Sequence, residues 1–69
     1  MSYKLRLGGT NEFVSEIEPF DELVEFVEGW DNPSVIVFPT RTSAERAMDK
    51  IWEIDEVHTT LEEIEKRLK

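Results

Sequence analysis

The predicted fold depends on the stretch from Ile17 to Gly29, which reads IEPFDELVEFVEG. At about 100° per residue, a helix over this stretch places its apolar side chains in one arc and its carboxylates in the opposite arc. Pro19 suits the first turn of such a helix, where its missing N–H is not needed, and a glycine commonly ends one. We therefore predict an amphipathic acidic helix. Its apolar arc contains Phe20, Leu23, Val24 and Val27, and its acidic arc contains Glu18, Asp21, Glu22, Glu25 and Glu28.

This acidic stretch is part of a longer interval that has no compensating base. No Lys or Arg occurs between Arg6 and Arg41, whereas that interval holds eight Asp and Glu residues. The rest of the chain holds eight bases and eight acids, so the formal net charge of -8 lies in the middle of the sequence. Such a distribution repels nucleic acid phosphates and anionic membranes, and it attracts basic protein surfaces.

Length and composition predict one small folded domain spanning residues 1–69. The chain is 39% hydrophobic, above the range of disordered segments, and it contains no cysteine. The amino-terminal residues lack the apolar run of a secretory signal. The longest apolar run, Val35–Phe38, is far shorter than a membrane span. We expect a cytoplasmic, soluble protein with no cofactor.

Three segments within residues 1–38 have strand signatures. Tyr3–Leu7 alternates apolar and basic residues, and Glu12–Ile17 is a second candidate strand. The residues between them, Gly8–Asn11, include two glycines and predict a hairpin turn. Ser34–Phe38 is apolar at nearly every position and is bounded by prolines, which predicts a strand covered on both sides at the centre of the sheet.

The last third of the chain predicts a second helix and leaves the end open. Thr42 and Glu45 match a capping box that opens this helix. Its buried side is expected to contain Ala44, Ala47, Met48 and Ile51.

The periodic spacing of apolar residues then breaks over residues 55–59, which can form a strand, a turn or a helix. Glu56–His58 fits a short edge strand. A second capping box at Thr59 and Thr60 predicts a final helix. The expected i, i+4 pairs on that helix are Glu62–Lys66, Glu63–Arg67 and Glu65–Lys69.

Together these elements predict a small α+β domain. The expected order is β-β-α-β-α-(β)-α, with a single mixed or antiparallel sheet of three strands, or four if the bracketed strand forms, covered by two or three helices. A right-handed crossover from the second to the third strand gives the sheet order 2-1-3.

The acidic row has two interpretations, a solvated helix face or a docking surface for a basic protein. Carboxylates about 5–6 Å apart on a helix approximate the repeat of phosphates along a nucleic acid strand. The like-charged i, i+4 pairs of such a helix lower its stability and bring no stabilising contact in exchange. This favours the interpretation that the acidic row is a functional surface. The leading hypothesis is a small acidic, non-enzymatic protein-binding module. Its sharper form is an inhibitor whose carboxylate-lined helix mimics nucleic acid and occupies a basic surface of a partner protein. The predicted partner-binding residues are Glu18, Asp21, Glu22, Glu25, Glu28, Trp30 and Asp31.

Two alternatives remain open. The first is a structural or oligomeric accessory subunit without a ligand site. The second is a small-anion site in the loop at residues 39–43, where Arg41, Thr42 and Ser43 lie at a predicted helix start. His58 is the only histidine, and without a cysteine or a second histidine it predicts neither a catalytic nor a metal site.

Overall fold

Residues 1–67, which the computed structural model describes, form a four-stranded antiparallel sheet with one long helix on a single face. The strand order is β3-β2-β1-β4. The predicted α+β class is confirmed, although the described residues contain a single long helix, because α2 has only four residues. The elements are β1 (Tyr3–Leu7), β2 (Glu12–Glu18), β3 (Leu23–Glu28), α1 (Arg41–Asp55), β4 (Thr59–Glu63) and α2 (Ile64–Arg67).

The turn between β1 and β2 comprises residues 8–11, as predicted. Gly9 has φ +77°, a conformation that a residue with a side chain rarely adopts. The Thr10 hydroxyl donates to the Leu7 carbonyl at 2.8 Å, and the Thr10 N–H bonds to the same oxygen at 3.1 Å. These bonds close the turn and align Arg6 with Phe13 across the two strands.

The predicted acidic helix is wrong, because the chain turns at residues 19–22 and returns as β3. Val24 and Phe26 pack against the core at alternate positions, with Glu25 pointing to the other side of the sheet between them. The same residues fit a helical period and a strand period, and pairing with β2 decides between them. Consequently, the like-charged i, i+4 pairs expected for a helix do not form.

A β-bulge in β2 makes this pairing compatible with the core. The register with β3 shifts between Val14 and Glu16, which leaves Ser15 as the extra residue. Val14 and Ile17, three positions apart, therefore both face the helix-covered side, where both contact the core. Strict alternation would have placed them on opposite sides of the sheet.

The segment Ser34–Phe38 is not a strand of the sheet, but it does lie near the sheet centre. Tyr3 and Phe38 exchange two backbone hydrogen bonds of 2.8 Å, and the Ile36 N–H donates to the Val14 carbonyl at 3.0 Å. The segment thus bonds to both β1 and β2 where these strands diverge. The predicted crossover and the 2-1-3 order are wrong, because a tight turn joins β2 to β3 and leaves no crossover.

Helix α1 begins earlier than predicted. Its N-cap is Thr40, whose extended backbone (φ -137°, ψ 160°) and side chain form a reciprocal capping box with Ser43. The Thr42–Glu45 box is wrong because Thr42 already lies in the first turn. The helix ends at Glu56 in the left-handed conformation. The predicted buried side is confirmed, with Ala44 and Ile51 fully buried and Ala47 and Met48 partly buried.

After α1 the chain forms a strand where a helix was predicted to start. β4 pairs with β1 from Thr59 to Glu63, so the predicted edge strand at Glu56–His58 and the second capping box are wrong. Opposite charges favour this pairing: Arg6 bonds to Glu62 at 3.3 Å, in place of the predicted Glu62–Lys66 pair. The predicted pairs with Arg67 and Lys69 require side chains outside the described part of the chain.

The core lies between α1 and the sheet. Leu5, Val14 and Ile51 are completely buried in it. Two apolar side chains that were predicted to be buried are exposed instead: Phe20 is 97% exposed, and Val37 is 51% exposed. Within the described residues, no helix is long and apolar enough to cross a membrane.

Candidate functional site

The acidic residues are concentrated on one β-hairpin. We call the segment Glu12–Glu28, which comprises β2, the turn and β3, the acidic hairpin. It contains no Lys or Arg. In the described part of the chain, none of the ion pairs involves a residue of this hairpin. Its carboxylates are Glu12, Glu16, Glu18, Asp21, Glu22, Glu25 and Glu28.

The strand register places three of these carboxylates on the sheet face opposite α1. Ile17 pairs with Val24 on the core side, so their neighbours point the other way. Glu16, Glu18 and Glu25 therefore share the outer face. Predicted residues Glu18 and Glu25 are thus brought together, although by a sheet and not by a helix.

Two cross-strand pairs set carboxylate against carboxylate. Glu16 lies directly opposite Glu25, and Glu12 lies opposite Glu28. Side chains opposite each other in an antiparallel pair have Cβ atoms about 4.5–5.5 Å apart, and like charges at that position are destabilising. Sequence reasoning missed Glu12 and Glu16 as site residues. The alternation of Glu16 and Glu18 with the apolar Ile17 between them was the signal that could have identified Glu16.

The turn presents charged and apolar side chains together. Asp21 and Glu22 are exposed there, and Glu22 has φ 50°. Phe20 is 97% exposed and Leu23 is 39% exposed. An aromatic ring with this exposure contributes little to the core, so Phe20 is a surface residue that the helical interpretation had assigned to the interior.

Trp30 is held by contacts inside the protein. Its ring lies edge-on to Phe13, with centroids 5.6 Å apart and an interplanar angle of 75°. The Lys4 ammonium lies 4.4 Å from the Trp30 ring centroid and also donates to the Trp30 carbonyl at 2.7 Å. Trp30 therefore covers the buried Phe13 on the outer face of the sheet. Asp31 next to it is exposed. Their roles in partner binding stay predictions.

The nearby bases are already engaged by other groups. Arg6 bonds to Glu62 and donates through Nη1 to the Thr10 carbonyl at 3.1 Å. Lys4 is held at Trp30, as described above. The positive charges of β1 are thus directed toward β4 and the loops, and they do not compensate the acidic hairpin.

The loop at residues 39–43 caps its own helix. The Ser43 N–H donates to the Thr40 hydroxyl at 3.1 Å, and the Thr40 N–H donates to the Ser43 hydroxyl at 3.3 Å. Arg41 bonds to Glu45 at 3.2 Å, and Thr42 is exposed. Two of the residues predicted to bind a small anion are therefore engaged by other groups of the protein, Arg41 by Glu45 and Ser43 by Thr40.

An open groove of about 490 Å³ lies between β4, α2 and the start of α1. Arg41 and Lys66 contribute positive charge to it, and Glu62 and Glu63 contribute negative charge. Glu63 bonds to Lys66 at 3.5 Å, while its Oε1 is buried without a hydrogen-bond partner. Mixed charge of this kind selects no single ligand class.

Glu65 ties α2 to the start of the chain. The Ser2 N–H donates to both carboxylate oxygens of Glu65, at 2.9 and 3.1 Å. This hydrogen bond lowers the pKa of Glu65 below its ordinary value of 4.5, because it favours the ionised form. The contact holds the amino-terminal residues against α2.

His58 packs against an aromatic ring. Its imidazole stacks on the Trp52 indole, with centroids 4.7 Å apart. Both residues border a small cavity of about 240 Å³ that Thr59 also lines. Among the described residues, no group of three or more His, Cys, Asp or Glu side chains could hold a metal ion.

Comparisons with known proteins add no relationship from which a function could be transferred. The geometry and charge of the acidic hairpin are therefore the basis on which a function is proposed. The chain matches no protein-family model, no curated protein and no solved structure.

Proposed function

We propose that this chain is a small non-enzymatic protein-binding module whose acidic hairpin docks on a basic surface of a partner protein. In its sharper form, the module is an inhibitor that occupies a nucleic-acid-binding surface. One observation carries the proposal: Glu16 lies opposite Glu25 on an exposed sheet face, in a hairpin that contains no base.

The energetics support a role for these charges outside the fold. A favourable cross-strand pair contributes about 0.2–1 kcal/mol, and like charges directly opposite each other oppose folding. Replacing either residue of the Glu16–Glu25 pair with Lys would remove this repulsion. A hairpin that keeps the repulsion loses some stability and gains a dense negative surface, which is the property that a basic partner recognises.

The spacing of the carboxylates supports the mimic form of the proposal. Glu16 and Glu18 are two residues apart on one strand, which corresponds to about 6.6–6.8 Å. Glu25 on the neighbouring strand adds a third carboxylate about 5 Å away. A groove that binds phosphates through Lys and Arg can accept carboxylates at these spacings, because phosphates and carboxylates both accept charge-assisted hydrogen bonds.

The groups that could perform chemistry have structural roles. Thr40 and Ser43 cap α1, and His58 stacks on Trp52. We therefore infer a binding protein and not an enzyme. The cysteine-free composition is compatible with a cytoplasmic location, where disulfides would not persist.

A second function is favoured by one separate observation. Trp52 is 46% exposed on α1, next to the partly buried Met48 and Val57 that line the same small cavity. Aromatic and Met side chains are enriched in protein interfaces. The alternative is therefore an accessory subunit that uses this helix-side patch, in a homo-oligomer or a larger assembly.

Charge reversal in the hairpin tests the leading proposal. The double variant Glu16→Lys/Glu25→Lys keeps a like-charged cross-strand pair, so its stability should stay near that of the wild type while the sign of the surface is reversed. We expect the wild type to capture a basic protein from native lysate at low salt. Capture should fall steeply as the salt concentration rises from about 0.05 to 0.3 M, because exposed charges are screened. The double variant should lose capture entirely.

The matched control is Asp49→Lys/Asp55→Lys, which makes the same change in net charge on exposed positions of α1. This control should retain capture if the hairpin is the site. Equal loss in both variants would show that net charge alone drives binding. The inhibitor form further requires that the protein displace nucleic acid from the captured partner, and failure to displace it would reduce the proposal to simple docking.

A further inference from the structure

The outer edge of β3 is the least protected part of the sheet. The strand order places β3 at one edge, so half of its backbone N–H and C=O groups point away from β2. In the described chain, the group that reaches this strand from outside is Asn32, whose Nδ2 donates weakly to the Glu28 carbonyl at 3.4 Å. We propose that β3 accepts an extended, Lys- or Arg-rich segment of the partner as a fifth strand. This inference rests on the function proposed above.

The hydrogen-bond pattern identifies the outward-facing residues. The Gly29 N–H bonds inward to the Asn11 carbonyl at 2.9 Å. Antiparallel strands alternate between residues that bond to the neighbour and residues that point away. Counting back along β3 from Gly29, the outward backbone groups belong to Glu28, Phe26 and Val24. Three outward residues over a six-residue strand suffice for the main-chain ladder by which peptides join exposed sheet edges.

Charge selects a basic occupant for this edge. The turn and β3 contain Asp21, Glu22, Glu25 and Glu28 and no Lys or Arg. A second copy of this chain added at the same edge would place these carboxylates beside their equivalents, and like-charged neighbours across strands are unfavourable. A strand with Lys or Arg at alternate positions would instead lie beside Glu25 on the outer face of the sheet.

The turn supplies an apolar contact for the same partner segment. Phe20 and Leu23 are exposed at the end of β3 that adjoins the turn. An aromatic residue bordering a charged surface is a common interface anchor. The preferred segment is therefore extended, basic at alternate positions, and apolar at the end that reaches Phe20.

Peptide probes test strand addition directly. The first probe is a blocked octapeptide that alternates lysine and threonine, and the second is the same peptide N-methylated at its central amides. Both carry the same charge, but the second lacks the backbone donors that a ladder needs. We expect the first probe to slow hydrogen exchange of the Val24, Phe26 and Glu28 amides. It should also bind roughly tenfold more tightly than the second, a factor that one or two lost hydrogen bonds would produce.

Variants of Glu28 give a second measurement on the chain itself. Glu28→Pro removes one outward N–H at an edge position where proline is tolerated, and Glu28→Gln removes the same charge but keeps that N–H. We expect the proline variant to bind the first probe more weakly than the glutamine variant does. If both probes bind equally without slowing β3 amide exchange, or if neither binds at low salt, strand addition is overturned. The capture experiment with Glu16→Lys/Glu25→Lys then still decides the docking function separately.

Discussion

At the scale of single residues, the pair Glu16 and Glu25 makes a prediction about stability. Replacing Glu25 with Lys turns a repulsive cross-strand pair into an attractive one. We expect Glu25→Lys to raise the free energy of unfolding by roughly 0.5 kcal/mol, a value reduced by solvent screening at an exposed site. Urea denaturation at low salt would measure the change. A partner that requires the acidic surface should bind this more stable variant less tightly.

The double variant Glu16→Lys/Glu25→Lys serves as the control for this stability effect. It restores a like-charged pair, so its free energy of unfolding should return toward that of the wild type. The two single substitutions should therefore be strongly non-additive, as expected for residues in direct contact. Additive effects would show that the two side chains do not interact, and the energetic argument for a functional hairpin would lose its basis.

At the scale of secondary-structure elements, the bulge at Ser15 accommodates one extra residue in β2 while the core side chains keep their side of the sheet. Deleting Ser15 would remove the extra residue and leave Val14 and Ile17 two positions apart, so that regular alternation would still direct both side chains toward the core. We expect the deletion to keep the pairing of Glu16 with Glu25 and to leave the free energy of unfolding within about 1 kcal/mol of the wild-type value, and a larger loss would show that the bulge itself is needed for this pairing. Chemical denaturation of the variant would measure this. Ser15→Ala, which keeps the bulge, should change stability by no more than about 0.5 kcal/mol.

The same hairpin explains which elements could be predicted from the sequence. Tyr3–Leu7 alternates clearly and is followed by two glycines, so local residues specify the first hairpin. For the sequence from Leu23 to Glu28, helical and strand periods both fit, and the choice depends on β2, which is not a local signal. The bulge at Ser15 also interrupts the alternation of β2, so the sequence pattern does not identify β2 as the strand that pairs with β3. Local capping signals also misplaced the start of α1 by two residues, because Thr40 and Thr42 can both serve as caps.

The sequence predicted which residues supply the charges of the candidate acidic surface, but it did not predict how those residues are arranged in space. The absence of bases between Arg6 and Arg41 is evident in the sequence and does not depend on the fold. Whether Glu18 and Glu25 share a surface does depend on it, and only the strand register answers that question. Phe20 was misplaced for the same reason, since a helix would have buried the side chain that the turn exposes.

At the scale of the whole molecule, the charge distribution predicts the oligomeric state. The net charge of -8 is concentrated on a hairpin whose outer strand is an edge of the sheet. Self-association through that edge would bring acidic strands together, and repulsion between them is strongest at low salt. We expect sedimentation equilibrium to give a monomer of 8.1 kDa at low salt. Glu22→Lys/Glu25→Lys, which adds bases to the edge, should associate more readily than the wild type.

A different result at this scale would favour the accessory-subunit alternative. That function requires contact through another surface, and the exposed Trp52 on α1 is the strongest apolar candidate. A tight wild-type dimer that is indifferent to salt would have to use such an apolar surface, and Trp52→Ser should then dissociate it. Because the acidic hairpin and Trp52 lie on separate elements, the salt dependence and the Trp52 substitution together distinguish docking through charge from assembly through the helix.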